Sequence, residues 1–198
     1  DLYKLNYKMD KTINLLITGG SLGAGVMSLN IAQAIIRFPK DLKLRLRIVQ
    51  QVRKEHIKEL RNIYNRNGIK SELHIFINDM AKYLKWSNIV ICRCGASTIA
   101  ENLISGRPSI MIPFAQSAEN HQFLNSKLVE NKGAGWIITE DKLQDVGELH
   151  NKLISIIKNT RKLFDASKLA KKGIEVRSAE KIVEITTAAI VKNKRVEL

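Results

Sequence analysis

The sequence predicts an α/β fold: a Rossmann-like, doubly wound parallel sheet of about six strands, followed by C-terminal helices. The first observation behind this prediction is that short, continuous apolar runs alternate with amphipathic helical patterns along most of the chain. The second is that glycine-rich or polar turns follow several of these runs. Continuous apolar strands are typical of a parallel sheet that is covered by helices on both faces.

Each element follows from its own residue pattern. Apolar runs bounded by turn residues predict strands, and apolar residues at helical spacing predict helices. The predicted strands are residues 13–18, 44–49, 72–77, 88–92, 109–113 and 136–139. The predicted helices are a segment with the apolar face Val26, Leu29, Ile31, Ala34 and Ile35, and then residues 54–65, 80–86, 98–105 and 119–131.

The last part of the chain carries helical patterns and no strand pattern, with helices predicted at residues 143–158, 161–172 and 176–192. We therefore expect a flexible lead-in over residues 1–12 and one Rossmann-like domain over residues 13–175. Residues 176–198 would form a helix that packs on this domain or reaches toward another one. A chain of 198 residues, 44% of them hydrophobic, is long enough for one domain with a substantial core.

The formal net charge of +14 favours an anionic partner or surface. Aromatic residues make up only 6% of the chain and do not interleave with the basic ones, so nucleic acid is the weakest choice of partner. An anionic membrane surface fits at least as well. The alternative is that the charges lie on solvated helix faces of a protein from a lysine-rich organism.

Cysteine usage argues against disulfides and metal sites. Cys92 and Cys94 are too close in sequence for an unstrained disulfide, and no further Cys or Cys/His cluster accompanies them. The sequence therefore predicts no metal site. We also expect no cofactor. It also fits a protein of the reducing cytosol.

A glycine-rich turn over residues 19–25 follows the first predicted strand. It is not a P-loop, because no Gly-Lys-Ser/Thr follows it. It half-matches the dinucleotide fingerprint, but the second strand carries Gln50 and Gln51 where that fingerprint needs an acid. A tight turn that uses the positive φ of glycine is the structural alternative, and it is compatible with close approach of a ligand.

Residues 93–101 follow the fourth predicted strand with the sequence Arg-Cys-Gly-Ala-Ser-Thr-Ile-Ala-Glu. A strand that breaks at Gly95 and opens a helix directs backbone N–H groups at one point, which suits a phosphate. Glu101 lies one turn later, where its carboxylate can accept hydrogen bonds from sugar hydroxyls. The competing interpretation is a capping box, in which Thr98 caps the helix and Glu101 bonds back to it.

Two further turns carry candidate binding residues. The loop of residues 113–122 combines amide side chains with His121, a set that suits hydroxyl recognition. It offers neither a second metal ligand near His121 nor a nucleophile elbow. After the third predicted strand, Ile75, Phe76 and Ile77 could pack on a base, and Asp79 could cap the next helix.

Together these turns resemble one known family. The patterns Gly-Gly-Ser-x-Gly-Ala, Phe-Ile-x-Asp-Met, Arg-x-Gly-Ala-x-Thr-x-x-Glu and Pro-Phe…Asn-His-Gln…Asn-Ala/Ser occur in the right order and spacing. They resemble the C-terminal, donor-binding half of the MurG family, the bacterial N-acetylglucosaminyltransferases of glycosyltransferase family 28. The resemblance implies half of a GT-B fold, from about residue 13 to the end of the sequence.

The resemblance also implies residue roles. The diphosphate would contact Gly20, Ser21 and Gly23 of the glycine-rich turn, together with Ala96, Ser97 and Thr98 at the helix start. Uracil would contact Phe76, Ile77 and Met80, and the ribose would contact Glu101. The GlcNAc hydroxyls would contact His121, Gln122 and Asn125.

The implied reaction is inverting transfer of GlcNAc from UDP-GlcNAc to undecaprenyl-pyrophosphoryl-MurNAc-pentapeptide (lipid I), which forms lipid II in peptidoglycan synthesis. We expect the general base and the acceptor site in an N-terminal half, so that this chain alone is inactive. The implied location is the cytoplasmic side of the bacterial inner membrane, as a peripheral protein. One departure is the end of the second strand, where the family pattern His-Gln-(Ser/Thr)-Gly is replaced by Gln50-Gln51-Val52-Arg53.

Three alternatives remain open at the level of sequence. The chain could be a non-catalytic nucleotide-binding or partner-binding module, or one subunit of a bipartite UDP-sugar transferase. It could also belong to a different UDP-sugar enzyme of the same fold, such as a glycolipid glucosyltransferase.

Overall fold

The computed structural model describes residues 2–19, 25–117, 120–172 and 174, and its centre is a parallel sheet. The strands are β1 (Ile13–Thr18), β2 (Leu46–Gln51), β3 (Lys70–His74), β4 (Ile89–Cys92), β5 (Ser109–Met111) and β6 (Gly135–Ile137). Their order is β3-β2-β1-β4-β5-β6, and every neighbouring pair is parallel. The predicted six-stranded, doubly wound α/β fold is therefore confirmed.

Helices connect the strands and cover both faces of the sheet. They are α1 (Gly25–Ile36), α2 (Lys40–Arg45), α3 (Ile57–Arg66), α4 (Met80–Trp86), α5 (Ala96–Ile104), α6 (His121–Asn131), α7 (Glu140–Gln144), α8 (Val146–Ile157) and α9 (Thr160–Lys171). Short 3-10 turns occur at Leu2–Lys4 and Lys54–His56. Within the described ranges, every helix is too short or too polar to cross a lipid bilayer.

The core consists of two apolar layers because successive strand residues point to opposite faces. In β1, Leu15 and Ile17 pack into the layer beneath α1, α3 and α8. Leu16 packs into the other layer, with residues of α4 and α5. The central strands β1 and β4 are almost fully buried, as their continuous apolar sequences predict.

Several predicted strand ends were wrong, and strand pairing explains two of them. The predicted strand 72–77 ends at His74, because β2 ends at Gln51, which is the partner of His74. No neighbouring strand remains to pair with Ile75, Phe76 and Ile77, so these residues leave the sheet. In the same way β5 ends at Met111 rather than at residue 113, opposite the last residue of β4.

Two other differences arise from local helix chemistry. The predicted strand 44–49 begins only at Leu46, because a short helix, α2, precedes it after Pro39. The predicted helix 143–158 is divided into α7 and α8 at Asp145. The Asp145 carboxylate accepts hydrogen bonds from Gly147 N at 2.8 Å and Glu148 N at 3.0 Å, so it caps α8 and starts a new helix axis.

The structure describes the first end of the chain but not the predicted C-terminal helix. The lead-in packs against the domain: Lys171 Nζ donates to the carbonyl oxygens of Tyr3, at 2.7 Å, and Leu5. The ring of Tyr7 contacts the core. The predicted helix of residues 176–192 lies outside the described residues.

Candidate functional site

The sheet contains one topological switch point, between β1 and β4. From β1 the chain moves outward through β2 to β3, and from β4 it moves in the other direction through β5 to β6. Thr18, at the end of β1, pairs with Cys92, at the end of β4. In open α/β sheets, ligands bind in the crevice beyond the carboxyl ends of the strands at such a point.

The β4–α5 turn (Arg93, Cys94 and Gly95) forms one wall of this crevice. Gly95 is the N-cap of α5, and among the described residues no side-chain hydrogen bond caps this helix start. A Cβ built on Gly95 would meet no described atom closer than Thr98 Oγ1, at 4.0 Å. The first N–H groups of a helix lack partners within it. Such unpaired N–H groups at a helix start suit an anion.

This geometry excludes the capping-box interpretation. The helix begins at Ala96, so Thr98 lies inside the first turn instead of before it. Glu101 is exposed, and its carboxylate has no hydrogen-bond or ion-pair partner in the part of the chain that the structure describes. Ala96 and Ser97 are also exposed, and Thr98 is half-buried.

Two amide side chains from α6 hold the β4–α5 turn in place. Gln122 Oε1 accepts hydrogen bonds from Cys94 N at 3.2 Å and from Phe114 N at 3.0 Å. Asn125 Nδ2 donates to Cys94 O at 3.1 Å. The oxygen of Gln122 is therefore occupied by backbone groups, and its amide N–H₂ is the part that could donate to a ligand.

A second anchor joins the turns that follow β4, β5 and β6. Arg93 Nη2 lies 2.6 Å from Glu140 Oε1, and both side chains are largely buried. Arg93 Nη1 also donates to the carbonyl oxygens of Ile112, at 3.2 Å, and Pro113, at 3.3 Å. The other Glu140 oxygen accepts from Ala115 N at 3.1 Å. The sequence analysis assigned no role to Arg93 or Glu140. Opposite charges that follow strands at one edge of a sheet could nevertheless have predicted such an ion pair.

The β3–α4 turn (residues 75–79) is built differently. Ile75 and Phe76 are 56% and 63% exposed, whereas Ile77 is 5% exposed and points into the core. Among the described residues, no hydrogen bond involves the backbone N–H or C=O of Ile77. Asp79 caps α4 as predicted, accepting from Lys82 N at 2.9 Å.

One apolar layer brings this turn and α5 together. Ile77 is buried in it, and Met80, Ile99 and Leu103 pack against it as partly buried residues. Met80 and Ile77 therefore lie on the same face of the sheet as Glu101's helix. Neighbouring strands are about 4.8 Å apart, so β3 and β4 are about 14 Å apart.

The remaining predicted residues fall into two groups. His121 is exposed at the first residue of α6. It follows Asn120, which has a left-handed backbone with φ 56°. Beside them, a cavity of about 320 Å³ is lined by residues that include Phe114, Asn120 and Phe123. Gly20, Ser21 and Gly23 lie outside the described residues.

The two cysteines are free thiols buried beneath the site. Burial raises the pKa of Cys92 to about 12 and also raises the pKa of Cys94. Both are therefore neutral at physiological pH and are unsuited to act as nucleophiles. Across the described ranges, no group of three His, Cys, Asp or Glu side chains is arranged to hold a metal ion.

Comparison with known proteins identifies the family. The sequence model of the glycosyltransferase family 28 C-terminal domain matches residues 14–183. The chain belongs to this family. The family-28 match covers five strands completely and β1 from its second residue, with every described turn at the carboxyl edge of the sheet.

Two relatives of this family-28 chain carry the name UDP-N-acetylglucosamine--N-acetylmuramyl-(pentapeptide) pyrophosphoryl-undecaprenol N-acetylglucosamine transferase. The protein from Caulobacter vibrioides is 34% identical over 173 residues, which cover 87% of this chain and 48% of that protein. The protein from Rickettsia akari is 38% identical over 160 residues, 80% of this chain and 42% of that protein. The chain thus spans about half the length of these curated relatives.

A solved structure agrees on the fold of the family-28 chain. The crystal structure of Acinetobacter baumannii MurG matches with a TM-score of 0.79 at 23% identity, covering 91% of this chain and 53% of that one. The predicted relation to the C-terminal half of a GT-B protein is therefore confirmed.

Proposed function

We propose that this chain is the donor-binding half of an inverting N-acetylglucosaminyltransferase that transfers GlcNAc from UDP-GlcNAc to lipid I and forms lipid II. The observation that carries the proposal is the N-terminus of α5 at the switch point, which no described side chain caps, with the Glu101 carboxylate, likewise without a partner among the described residues, one turn away. A diphosphate and a ribose are the ligand parts that such a pair suits.

Each part of the donor has a matching group. The N–H groups at Ala96, Ser97 and Thr98 would bind phosphate oxygens, together with Gly20, Ser21 and Gly23. Glu101 would accept hydrogen bonds from the ribose hydroxyls. Phe76 would stack on uracil, Ile77 would bind its polar edge through backbone groups, and Met80 would line the same pocket.

The sugar would lie beside α6. His121 and the amide N–H₂ of Gln122 would bind GlcNAc hydroxyls, with Asn125 nearby. Because Gln122 Oε1 already accepts two backbone N–H groups, Gln122 would act toward the sugar as a donor only. This refines the role that the family resemblance implies for it.

The chain's own contribution to catalysis would be stabilisation of the leaving group. As the glycosidic bond to UDP breaks, negative charge develops on the diphosphate, and oriented N–H groups at a helix N-terminus stabilise it without reorganising. Deprotonation of the acceptor hydroxyl requires a general base. We place that base and the lipid I site in the part of the enzyme that corresponds to the other half of the longer relatives.

We further propose that the enzyme works at the cytoplasmic side of the inner membrane as a peripheral protein. The lipid-linked acceptor requires access to a membrane, and the net charge of +14 favours an anionic lipid surface. Nucleic acid remains the weakest choice of anionic partner, because the chain has few aromatic residues to stack on bases.

Calorimetry tests the proposal directly. UDP and UDP-GlcNAc should bind the chain, ADP should bind much more weakly, and UDP-GlcNAc should bind more tightly than UDP-glucose. An absence of UDP binding would overturn the proposal. A preference for UDP-glucose would favour a different UDP-sugar transferase of this fold. Full turnover of lipid I by this chain alone would contradict the placement of the base elsewhere.

A further inference from the structure

A groove of about 450 Å³ lies between the outer strands β2 and β3 and the helix α4. We call it the α4 groove, and its lining residues include Arg47, Lys70, Glu72, Lys82, Tyr83 and Trp86. Arg47 is the second residue of β2 and Lys70 is the first residue of β3, so the groove reaches the amino ends of these strands. At about 3.3 Å per residue, Arg47 is about 13 Å from the carboxyl end of β2. The α4 groove is therefore separate from the proposed donor site.

Three cationic side chains line the α4 groove. Arg47 and Lys70 are direct partners in the register of β2 and β3, so they share one face of the sheet with backbones about 4.8 Å apart. Lys82, from the first turn of α4, adds a third positive charge. Like charges at directly opposed strand positions destabilise a sheet. The arrangement is therefore unfavourable unless an anion accompanies it.

The described residues supply little negative charge to balance these cations. Glu72 is the one carboxylate among the described lining residues. Its Oε1 accepts a hydrogen bond from Tyr83 Oη at 2.5 Å and lies 2.7 Å from His74 Nε2. One carboxylate, already bound in this way, faces three cations.

The cations themselves are available to a ligand. Within the described ranges, the Lys70 ammonium has no hydrogen bond or ion pair, and the Lys82 ammonium contacts only the ring of Tyr83, 5.2 Å from its centre. Arg47 donates to the carbonyl oxygens of two neighbouring residues through Nη1 alone. Its Nη2 and Nε have no described partner and can donate to an anion.

Protection of a sheet edge explains only part of this arrangement. Lysine on an edge strand hinders pairing with another chain, and β3 is an edge strand, so this role could account for Lys70. It does not account for Arg47, because β2 is paired on both sides, with β1 and β3. The pair of opposed cations therefore indicates a binding role.

An indole ring lies beside these cations. Trp86 is partly buried against the core and meets the ring of Tyr83 edge to face, with the ring centres 6.4 Å apart. Its indole N–H has no hydrogen-bond partner among the described residues. Tryptophan is enriched where an apolar region meets a wet one, as at the surface of a lipid bilayer. Cations beside such a ring suit the phosphate of a lipid headgroup.

We infer that the α4 groove binds the phosphate headgroup of an anionic membrane phospholipid, with its three cations on the phosphate and Trp86 at the bilayer surface. The inference rests on the proposed function, because the lipid-linked acceptor of that proposal brings the enzyme to a membrane. It assigns to one surface the attraction that the net charge of +14 implies. A lipid bound at the amino ends of the strands leaves the donor crevice at their carboxyl ends open.

Co-sedimentation of the full 198-residue chain with lipid vesicles tests the inference. The chain should bind vesicles of equal parts phosphatidylglycerol and phosphatidylcholine and should not bind phosphatidylcholine alone. Lys70→Gln combined with Lys82→Gln should weaken this binding by about tenfold to thirtyfold, as expected for two lysines at an anionic surface. Lys58→Gln combined with Lys162→Gln removes two charges from exposed positions on α3 and α9. This matched control should bind like wild type, because charges away from the contact are screened.

Tryptophan fluorescence locates the contact. The chain has two tryptophans, so Trp136→Phe leaves Trp86 as its only indole. Vesicles that contain phosphatidylglycerol should shift the emission of Trp86 to shorter wavelengths, whereas free glycerol 3-phosphate should not. Should Trp136→Phe fail to fold, loss of the shift in Trp86→Phe provides the same information.

Four outcomes would overturn the inference. Equal weakening in the two double variants would show that binding follows net charge alone. An unshifted Trp86 emission in the vesicle-bound chain would place the contact elsewhere. Release of the vesicles by micromolar glycerol 3-phosphate would assign the groove to a soluble phosphate compound, and release by a single-stranded oligonucleotide would assign it to nucleic acid.

Calorimetry with UDP separates this inference from the proposed function. The variant with Lys70→Gln and Lys82→Gln should bind UDP like wild type, because the groove lies away from the donor site. Loss of UDP affinity in this variant would overturn the inference, since the change would then be structural. Wild-type chain that binds UDP but no vesicles would overturn the inference alone. Wild-type chain that binds no UDP would overturn the proposed function instead.

Discussion

The β4–α5 turn and the β3–α4 turn leave the same edge of one sheet, yet they are stabilised in opposite ways. The first is held by side chains from other loops: Gln122 and Asn125 bind the backbone of Cys94, and Arg93 pairs with Glu140. The second exposes Ile75 and Phe76, and Ile77 makes no backbone hydrogen bond among the described residues.

The difference follows from what each turn is proposed to bind. Stabilisation of developing charge requires hydrogen-bond donors that are already oriented before the reaction. The β4–α5 turn, which is proposed to bind phosphate, therefore benefits from the side chains that hold it in place. A nucleobase is bound by stacking on a side chain and by hydrogen bonds with backbone groups. Those backbone groups must have no other partner if they are to bind the nucleobase. Changes at the first turn should therefore alter both stability and binding, whereas changes at the exposed residues of the second, Ile75 and Phe76, should alter binding alone.

Loss of the Gln122 side chain, which holds the β4–α5 turn, should produce the largest effect. Gln122→Ala leaves the N–H groups of Cys94 and Phe114 without their acceptor, at about 1 kcal/mol for each hydrogen bond. The free energy of unfolding, measured with urea, should fall by about 2 kcal/mol, and UDP affinity should fall with it.

Two variants control this test. Gln122→Glu keeps an oxygen acceptor and should retain most of the stability while losing the donor proposed for the sugar. Gln116→Ala removes an exposed amide from the same loop and should change nothing. A Gln122→Ala protein with a wild-type urea midpoint would show that the turn does not depend on this anchor.

Phe76→Ala should affect binding without affecting stability. Stacking of a base on an aromatic ring contributes about 1 to 3 kcal/mol, so UDP and uridine should both bind at least about fivefold more weakly. The free energy of unfolding should stay within about 0.5 kcal/mol of wild type, because the ring is exposed.

Leu44→Ala is the matched control, since Leu44 is 59% exposed on α2, which precedes the opposite end of β2. Unchanged uridine binding in Phe76→Ala would remove this side chain from the base site.

Glu101→Ala should produce a smaller loss, of about 1 kcal/mol in UDP binding, with no decrease in melting temperature. The reason is that the carboxylate has no partner within the described structure to lose. Wild type should bind UDP more tightly than 2′-deoxy-UDP, and the variant should bind the two equally.

Asp165→Ala removes one exposed carboxylate from α9 and controls for the change in net charge. A variant that melts earlier but still discriminates between the two nucleotides would assign Glu101 a structural role.

The smallest effect concerns the hydrogen bond between Tyr83 and Glu72, which lie on the two elements that flank the β3–α4 turn. The Tyr83 hydroxyl lies on α4 and donates to Glu72 Oε1 on β3 at 2.5 Å, and His74 Nε2 lies 2.7 Å from the same oxygen. The hydrogen bond from Tyr83 lowers the pKa of Glu72 below its ordinary value of 4.5, and His74 adds to the shift.

A carboxyl with a lowered pKa contributes stability that is present above its ordinary pKa and is lost as pH falls through the lower, folded value. Tyr83→Phe should therefore be less stable than wild type at neutral pH, by about 0.5 kcal/mol because Glu72 is half exposed. This difference should shrink as pH falls below the ordinary pKa of 4.5. Urea midpoints at several pH values would show it, and a difference that grows in acid would contradict the assignment.

Local sequence determined much of this protein. Strands β1 and β4 and helix α4 were predicted at or within one residue of their observed ends, because uninterrupted apolar runs and an Asp N-cap depend on few distant contacts. The alternation of elements also fixed the carboxyl edge as the place where Phe76, Thr98 and Glu101 emerge.

Tertiary structure alone decided how those residues are presented. The end of β3 depends on where its neighbour β2 stops, which no local pattern records. The role of Gln122 as an acceptor for Cys94 and Phe114 and the pairing of Arg93 with Glu140 each join turns that are distant in sequence. Hydrogen bonds and charges act over a few ångströms in space, so only the folded sheet, which brings its turns to one edge, determines which of them meet.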